Sequence, residues 1–354
     1  MIRSTKSVLR FALLLAVALL AIPASARAQA EDPAAAQPAE PEPAPRNGEF
    51  AFGGPIELQD VFLPAQMRPQ SYPESAEVLP PGAFSVRTVV DWTNHLAQTD
   101  RYLFDGESVS TVLKLRYAPW QRVEVGIDVP YTNRFDGTLD PFIEDVEGAL
   151  DQEVQARFEL PQSNWTAIAV RSDGSRTLRM LDDDGFGDIS LRGKFALARQ
   201  AELGFDAALV ASLGLPSGGD TMGGEGVSPG LALHAQLPFE TVNLFGGGAL
   251  QYYSDATEQQ FRLAPWRWMS YLGAEWRPGH SWFGLLAEYQ VYGPLARVDA
   301  PLTHLSYYYA GGFRFYLPWR TTLETTIVEN FGAIENRNSS DVSFHFALGW
   351  RFGN

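Results

Sequence analysis

Three features of the sequence predict an all-β fold, a twelve-stranded antiparallel transmembrane β-barrel of the outer-membrane type with a signal peptide and a large extracellular insertion. The first is a period-two alternation of apolar and polar residues that recurs from Gly82 to the end of the chain. The second is a regular exchange of tight turns with longer loops rich in Gly, Asp, Asn or Glu. The third is the last stretch, Asp341 to Phe352, where large apolar and aromatic residues occupy every second position and Phe352 closes the run. Period two places alternate side chains on opposite faces of a strand. A barrel in lipid turns its apolar face outward, and bacterial single-chain barrels have an even strand number with short turns on one side.

Taken in order, the chain opens with Arg3, Lys6 and Arg10, an apolar run from Phe11 to Ile22, and Ala-rich candidate cleavage sites up to Ala30. A basic start, a short apolar run and small residues make residues 1–30 a secretory signal peptide, since a spanning helix needs ~20 apolar residues. Residues 31–46 are mostly Ala, Pro, Glu, Asp and Gln, a composition suited to a disordered tether. Residues 47–81 carry Phe50, Phe52, Ile56, Leu58, Val61, Phe62, Leu63 and Met67 between prolines. That apolar content requires packing, either as a lead-in beneath the barrel or as a plug inside it.

Residues 82–352 are read as the barrel. The first three strands alternate through Phe84 to Trp92, Val109 to Tyr117 and Val123 to Tyr131, with a tight turn at Ala118 to Gln121. That turn would set Arg116 opposite Glu124. An insertion, residues 136–185, follows. Phe142, Ile143, Val146 and Leu150 have helical spacing, and Trp165–Val170 with Thr177–Leu181 suit a hairpin. At roughly 50 residues it exceeds the 12–15 of an idle loop, so it is expected to cap or enter the barrel mouth. Nine more strands follow, from Ile189–Leu197, through Leu203–Leu215 and the others, to the closing strand. Tyr117, Trp120, Phe239, Trp276, Trp319 and Trp350 lie near the tight turns, as interfacial girdles do. The alternation places both termini on the periplasmic side of a bacterial outer membrane.

The formal charge is −15, and the four cations Arg3, Lys6, Arg10 and Arg27 are the only charges in residues 1–30, so the rest carries −19. An anionic exported chain excludes nucleic acid as a partner. The expected partners are outer-membrane lipid, lipopolysaccharide and, through the C-terminal strand, the barrel-assembly machinery. There is no cysteine, so neither disulfides nor a lipoprotein anchor are expected.

His95, His234, His304 and His345 fall on polar-face positions, and His280 falls in a turn. No nucleophile motif and no metal-ligand spacing accompanies them, so no enzyme, cofactor or metal is expected. Asp182-Asp183-Asp184-Gly185 and Asp140, Glu144 and Asp145 depart from the EF-hand spacing and read as solvated acidic loops. The polar face carries Arg87, Asp91, Lys114, Arg116, Glu124, Asp128, Arg192, Lys194, Asp206, Arg267, Glu275, Glu288, Arg314 and Glu324. These fourteen are the expected lumen lining, where charge shapes the barrel and tunes selectivity. An arginine at Gly126 would then be accommodated in the lumen. Passive movement of small solutes through a narrow channel is the leading expectation. A surface barrel whose insertion binds a partner or divalent cations is the alternative, and a lumenal hydrolase the third.

Five short stretches carry a resemblance: Gly54-Pro55-Ile56, Leu79-Pro80-Pro81-Gly82, Phe142-Ile143-Glu144-Asp145, Gly185-Phe186-Gly187-Asp188-Ile189 and Leu215-Pro216-Ser217-Gly218. Together they resemble a family of Gram-negative outer-membrane proteins known only as a domain of unknown function. The resemblance implies the barrel and gives no residue a role.

Overall fold

The computed structural model describes residues 53–99, 102–136, 138–149, 165–170, 176–180, 183–219, 222–254, 263–297, 302–330, 340 and 342–353. The chain divides into two units, Met1–Ala51 and Phe52–Asn354. The signal and tether readings lie outside the described residues.

Strands β1 (Phe84–Gln98), β2 (Tyr102–Trp120) and β3 (Val123–Phe135) form a meander. Helix α1 (Leu63–Gln66) precedes them, and helix α2 (Asp140–Ala149) and strands β4 (Thr166–Val170), β5 (Arg176–Met180) and β6 (Asp184–Phe186) follow. Then come β7 (Ser190–Ala198), α3 (Gln200–Leu203), β8 (Asp206–Gly214), β9 (Ser228–Pro238), β10 (Val242–Tyr252), β11 (Trp266–Trp276), β12 (Phe283–Tyr292), β13 (Ser306–Leu317), β14 (Thr321–Glu329) and β15 (Val342–Phe352). Each of β7 to β15 pairs antiparallel with the next, β3 pairs with β7, and β15 pairs with β1. The sheet is therefore a closed twelve-stranded barrel, with β4, β5 and β6 added above its rim. Closure leaves no open edge among the membrane-crossing strands, as a lipid environment requires.

The two faces have opposite chemistry. Leu113, Leu231, Leu233, Leu272, Phe313 and Ile327 are exposed on the outer wall. Their strand neighbours Lys114, Ala232, His234, Tyr271, Arg314 and Thr326 are buried on the inner side. At the short-turn end the outer wall carries Phe84, Tyr117, Trp120, Phe239, Trp276 and Trp319, all exposed.

The register corrects the sequence reading of the first turn. Arg116 stands opposite Gly126 rather than Glu124, because β2 runs on through Pro119 to Trp120 and the chain turns at Gln121 and Arg122, with an irregularity in the ladder between Tyr117 and Trp120. Lys114 meets Asp128 on that ladder, and Glu124 faces Lys194 on β7. β2 also begins earlier than expected: residues 102–108 continue the ladder with β1, so the long connection expected there shrinks to residues 99–101. Leu203 belongs to α3, and β8 starts only at Asp206.

The inside is full. A Cβ on Gly126 would stand 2.5 Å from the Arg116 side chain and 2.7 Å from the Leu115 carbonyl oxygen. An arginine there has no room, which overturns the expectation of a tolerant lumen.

Candidate functional site: the occupied lumen

The segment 53–81 fills the barrel as a hairpin. Its order of contacts with the wall defines its path. Gly53 N donates to Glu275, 3.1 Å, and to the Tyr316 hydroxyl, 2.9 Å, near the short-turn end of β11 and β13. Arg314 donates to the carbonyl oxygens of Gly54, 2.8 Å, and Pro55, 3.3 Å. Ile56 N donates to Glu288 at mid-strand, 2.9 Å. Glu57 accepts from Lys114, 2.8 Å, and lies 3.5 Å from Arg87. Asp60 pairs with Arg267, close to the opposite end of β11, and accepts from the Tyr308 hydroxyl, 2.6 Å.

Helix α1 is the apex. Phe62, Leu63, Ala65 and Met67 pack with Ala97, Tyr102, Phe104, Leu263, Leu295 and Leu302 at the long-loop end. Pro64 starts the single turn, where its missing N–H costs nothing. Gln70 folds it back: its side chain accepts from Asp60 N and donates to the Ala65 carbonyl.

The return leg descends. Ser71 donates to Gln251, 2.8 Å, and Tyr72 donates to Asp128, 2.7 Å, while its ring lies under the Lys114 ammonium at 3.6 Å. Glu74 binds Arg192 and Lys194, each at 2.9 Å, with Arg116 at 3.8 Å. Leu79 N reaches Glu124, 3.1 Å, next to the short-turn end. There the backbone turns through Gly82, with φ +80, into β1. A positive φ suits glycine, which lacks the Cβ that would collide.

All fourteen charges expected in the lumen lie inside the barrel, buried except for the partly exposed Arg87. Eleven meet segment 53–81 directly, counting Arg87, Lys114, Arg116, Glu124, Asp128, Arg192, Lys194, Arg267, Glu275, Glu288 and Arg314. Glu324 pairs with Arg314 and, at 2.5 Å, with Arg87. Asp91 accepts from His345, 2.7 Å, and Asp206 accepts from Gln200 N, 2.9 Å. Burial alone would push the Glu57 carboxyl up, but Lys114 and Arg87 outweigh it and hold it down at about 2. For Glu74 burial is likewise outweighed, by Lys194, Arg192 and Arg116, and its carboxyl lies well below the usual range. Both are charged at neutral pH.

Around the apex the space between the described residues is small. A cavity of about 30 Å³ lies between the apex of the hairpin and the wall, lined by Gln59, Asp60, Gln70, Asp91, Asp128 and Pro130, among others. That is the scale of one or two water molecules.

His95 and His234 point inward and are buried, as is His345. His304 is not on a strand: it lies exposed in the loop before β13, which corrects its polar-face placement. His280 ends the turn Pro278–His280. His95 Nε2 lies 2.8 Å from Ser108 Oγ, and its Nδ1 meets no hydrogen-bond partner among the described residues, so no carboxylate orients it. Ser108 is fully buried and also accepts from Gln66 of the hairpin. Among the described residues no group of His, Asp and Glu is placed to hold a metal ion.

The described parts of the insertion take two courses. Asn94 and Glu107 belong to the outward-facing set of β1 and β2, yet both are buried. The start of α2 covers them from outside: Glu107 accepts from Thr138 N, 2.5 Å, and Asn94 donates to Asp140, 2.9 Å. Trp165 lies instead on the inner side, against Gly106 and the apex cluster. Residues 150–164 and 171–175 lie outside the described residues. Two of the quoted motifs meet in space: Asp188 accepts from Ser217 N, 3.0 Å, Gly218 N, 2.9 Å, and Gly224 N, 2.8 Å, and so ties the loop after β8 to the start of β7.

A model for proteins of unknown function, DUF3187, matches residues 48–352. The chain belongs to that family. The match spans the hairpin and all twelve barrel strands. An outer-membrane channel from Pseudomonas putida F1 superposes with a TM-score of 0.54 at 12% identity, over 80% of this chain and all of that one. The likeness is one of fold, an outer-membrane barrel. The NanC porin covers 75% of this chain and 98% of its own at 11% identity, with a TM-score of 0.41. The toluene transporter TodX of Pseudomonas putida covers 78% and 91% at 12% identity, with a TM-score of 0.38. No curated protein matches the sequence.

Proposed function

We propose that the protein is a gated passive channel of the outer membrane for small polar solutes, shut by its own residues 53–81 and with its short turns facing the periplasm. One observation carries this reading. The lumen is filled by a separate hairpin, not by the side chains of the wall, as it would be in an eight-stranded barrel. Both legs of that hairpin meet the wall through hydrogen bonds and ion pairs, and the ascending leg also packs Ile56, Leu58 and Val61 on Phe245, Met269, Tyr271, Leu286 and Tyr292. The polar contacts exchange for water when the segment leaves, while the apolar ones favour the shut state at rest. Both ends of the hairpin are at the short-turn mouth, so it can retreat that way without threading. With it gone, the wall would present both signs of charge to a passing solute.

In this reading the buried Ser108–His95 pair is structural and the protein is not an enzyme. Lipid and lipopolysaccharide surround the outer wall, and the β15 edge with Phe352 engages the assembly machinery before closure. Osmotic swelling of vesicles tests the passive channel. Vesicles carrying the full chain are expected to swell slowly in small polar solutes and faster once residues 53–79 are deleted. Swelling no faster than in protein-free vesicles, for both proteins, would contradict solute passage.

A further inference from the structure

We infer that α2 is an interfacial foot, laid along the outside of the barrel, whose Phe142 side chain enters the lipid boundary of the outer leaflet. The inference rests on where the helix sits and what it covers.

Trp92 is eight residues above Phe84 on β1, and both face outward. For strands tilted by ~40° that separation is ~20 Å, close to the height of the apolar band of such barrels. Trp92 and Phe344 therefore belong to the upper aromatic girdle, and their rings lie 6.4 Å apart. Below them the wall is apolar, with Leu113 and Phe346 exposed. Just above them it becomes polar, with Asn94 and Glu107. A bare carboxylate facing outward at this level would be poorly solvated. The start of α2 resolves that. Glu107 accepts the Trp92 indole N–H at 2.6 Å and the backbone N–H groups of Thr138 and Leu139, and Asn94 holds Asp140.

The helix then presents two faces. Ile143 on the helix and Leu139 just before it are buried. Phe142 is 53% exposed, with its ring centroid 6.3 Å from that of Phe344, level with the girdle, and Asp145 is exposed. An exposed ring beside girdle aromatics, on a helix with acidic neighbours, is placed as interfacial helices place theirs: apolar residues at the acyl boundary, charges among the headgroups. The occupant of this face is lipid.

The chain has no cysteine, so single labels are unambiguous. Phe142→Cys and Asp145→Cys, each carrying an environment-sensitive fluorophore, are inserted into phosphatidylcholine–phosphatidylglycerol vesicles with or without a doxyl lipid. At position 142 the expected emission is blue-shifted, quenched several-fold more by the doxyl lipid than by iodide, and at 145 the order is reversed. Adding Glu107→Gln should free the helix start and raise iodide quenching at 142. Heat-modifiable migration on gels confirms that each barrel is assembled. An assembled Phe142→Cys protein quenched by iodide as readily as Asp145→Cys would overturn the inference. Quenching unchanged by Glu107→Gln would overturn the part given to Glu107.

Discussion

Replacing Arg314 by methionine is expected to cost about 3–5 kcal/mol of barrel stability, the range for removing one partner of a buried ion pair. Arg314 is fully buried between Glu275, 2.6 Å away, and Glu324, neither of which reaches solvent. Its loss takes the guanidinium from Glu275 and leaves Glu324 to Arg87. It also removes the donors that hold the Gly54 and Pro55 carbonyls, so the ascending leg of the hairpin should loosen with the wall. Urea unfolding in vesicles measures the loss. Adding Glu275→Gln to Arg314→Met should recover much of it, because Glu275 is then neutral and Glu324 keeps Arg87 at 2.5 Å. A single variant as stable as the native chain would mean that this cluster is not what braces the wall.

The second large effect is expected at Glu74. Its carboxylate is shared by Arg192, Lys194 and Arg116. Glu74→Ala leaves their charge to Asp128 and Glu124 alone, and the return leg loses its strongest tie to the wall. A penalty of about 3 kcal/mol would raise the detached population of that leg by roughly a hundredfold. Ser75→Cys reports it, since Ser75 now bonds Gln236 at 3.1 Å inside the barrel. A water-soluble maleimide should label Ser75→Cys far faster in the Glu74→Ala background. Equal labelling rates would show that the leg is held by something other than this cluster.

The barrel was legible because its strands divide two environments at every step. A wall with lipid outside and charge inside writes period two into each strand, and the fourteen polar-face charges stand out against Leu, Trp and Phe. Register was not legible at the first turn, since Pro119 reads as a turn residue while β2 carries it on to Trp120 and the chain turns at Gln121 and Arg122. The path of residues 53–81 was hidden for a different reason. Their spacing follows partners scattered over β2, β3, β7 and β10 to β13, and so has no period of its own. Asn94 and Glu107 misled in the same way: they read as the beginning of a loop, and only α2 folding down outside explains polar residues on an outward face.

The measurement that tests the central claim most directly is single-channel conductance in a planar bilayer of the full chain beside a variant lacking residues 53–79. The full chain is expected to stay shut with rare openings, and the assembled deletion variant to conduct steadily. An assembled deletion variant as silent as the full chain would contradict the claim that this hairpin closes a channel.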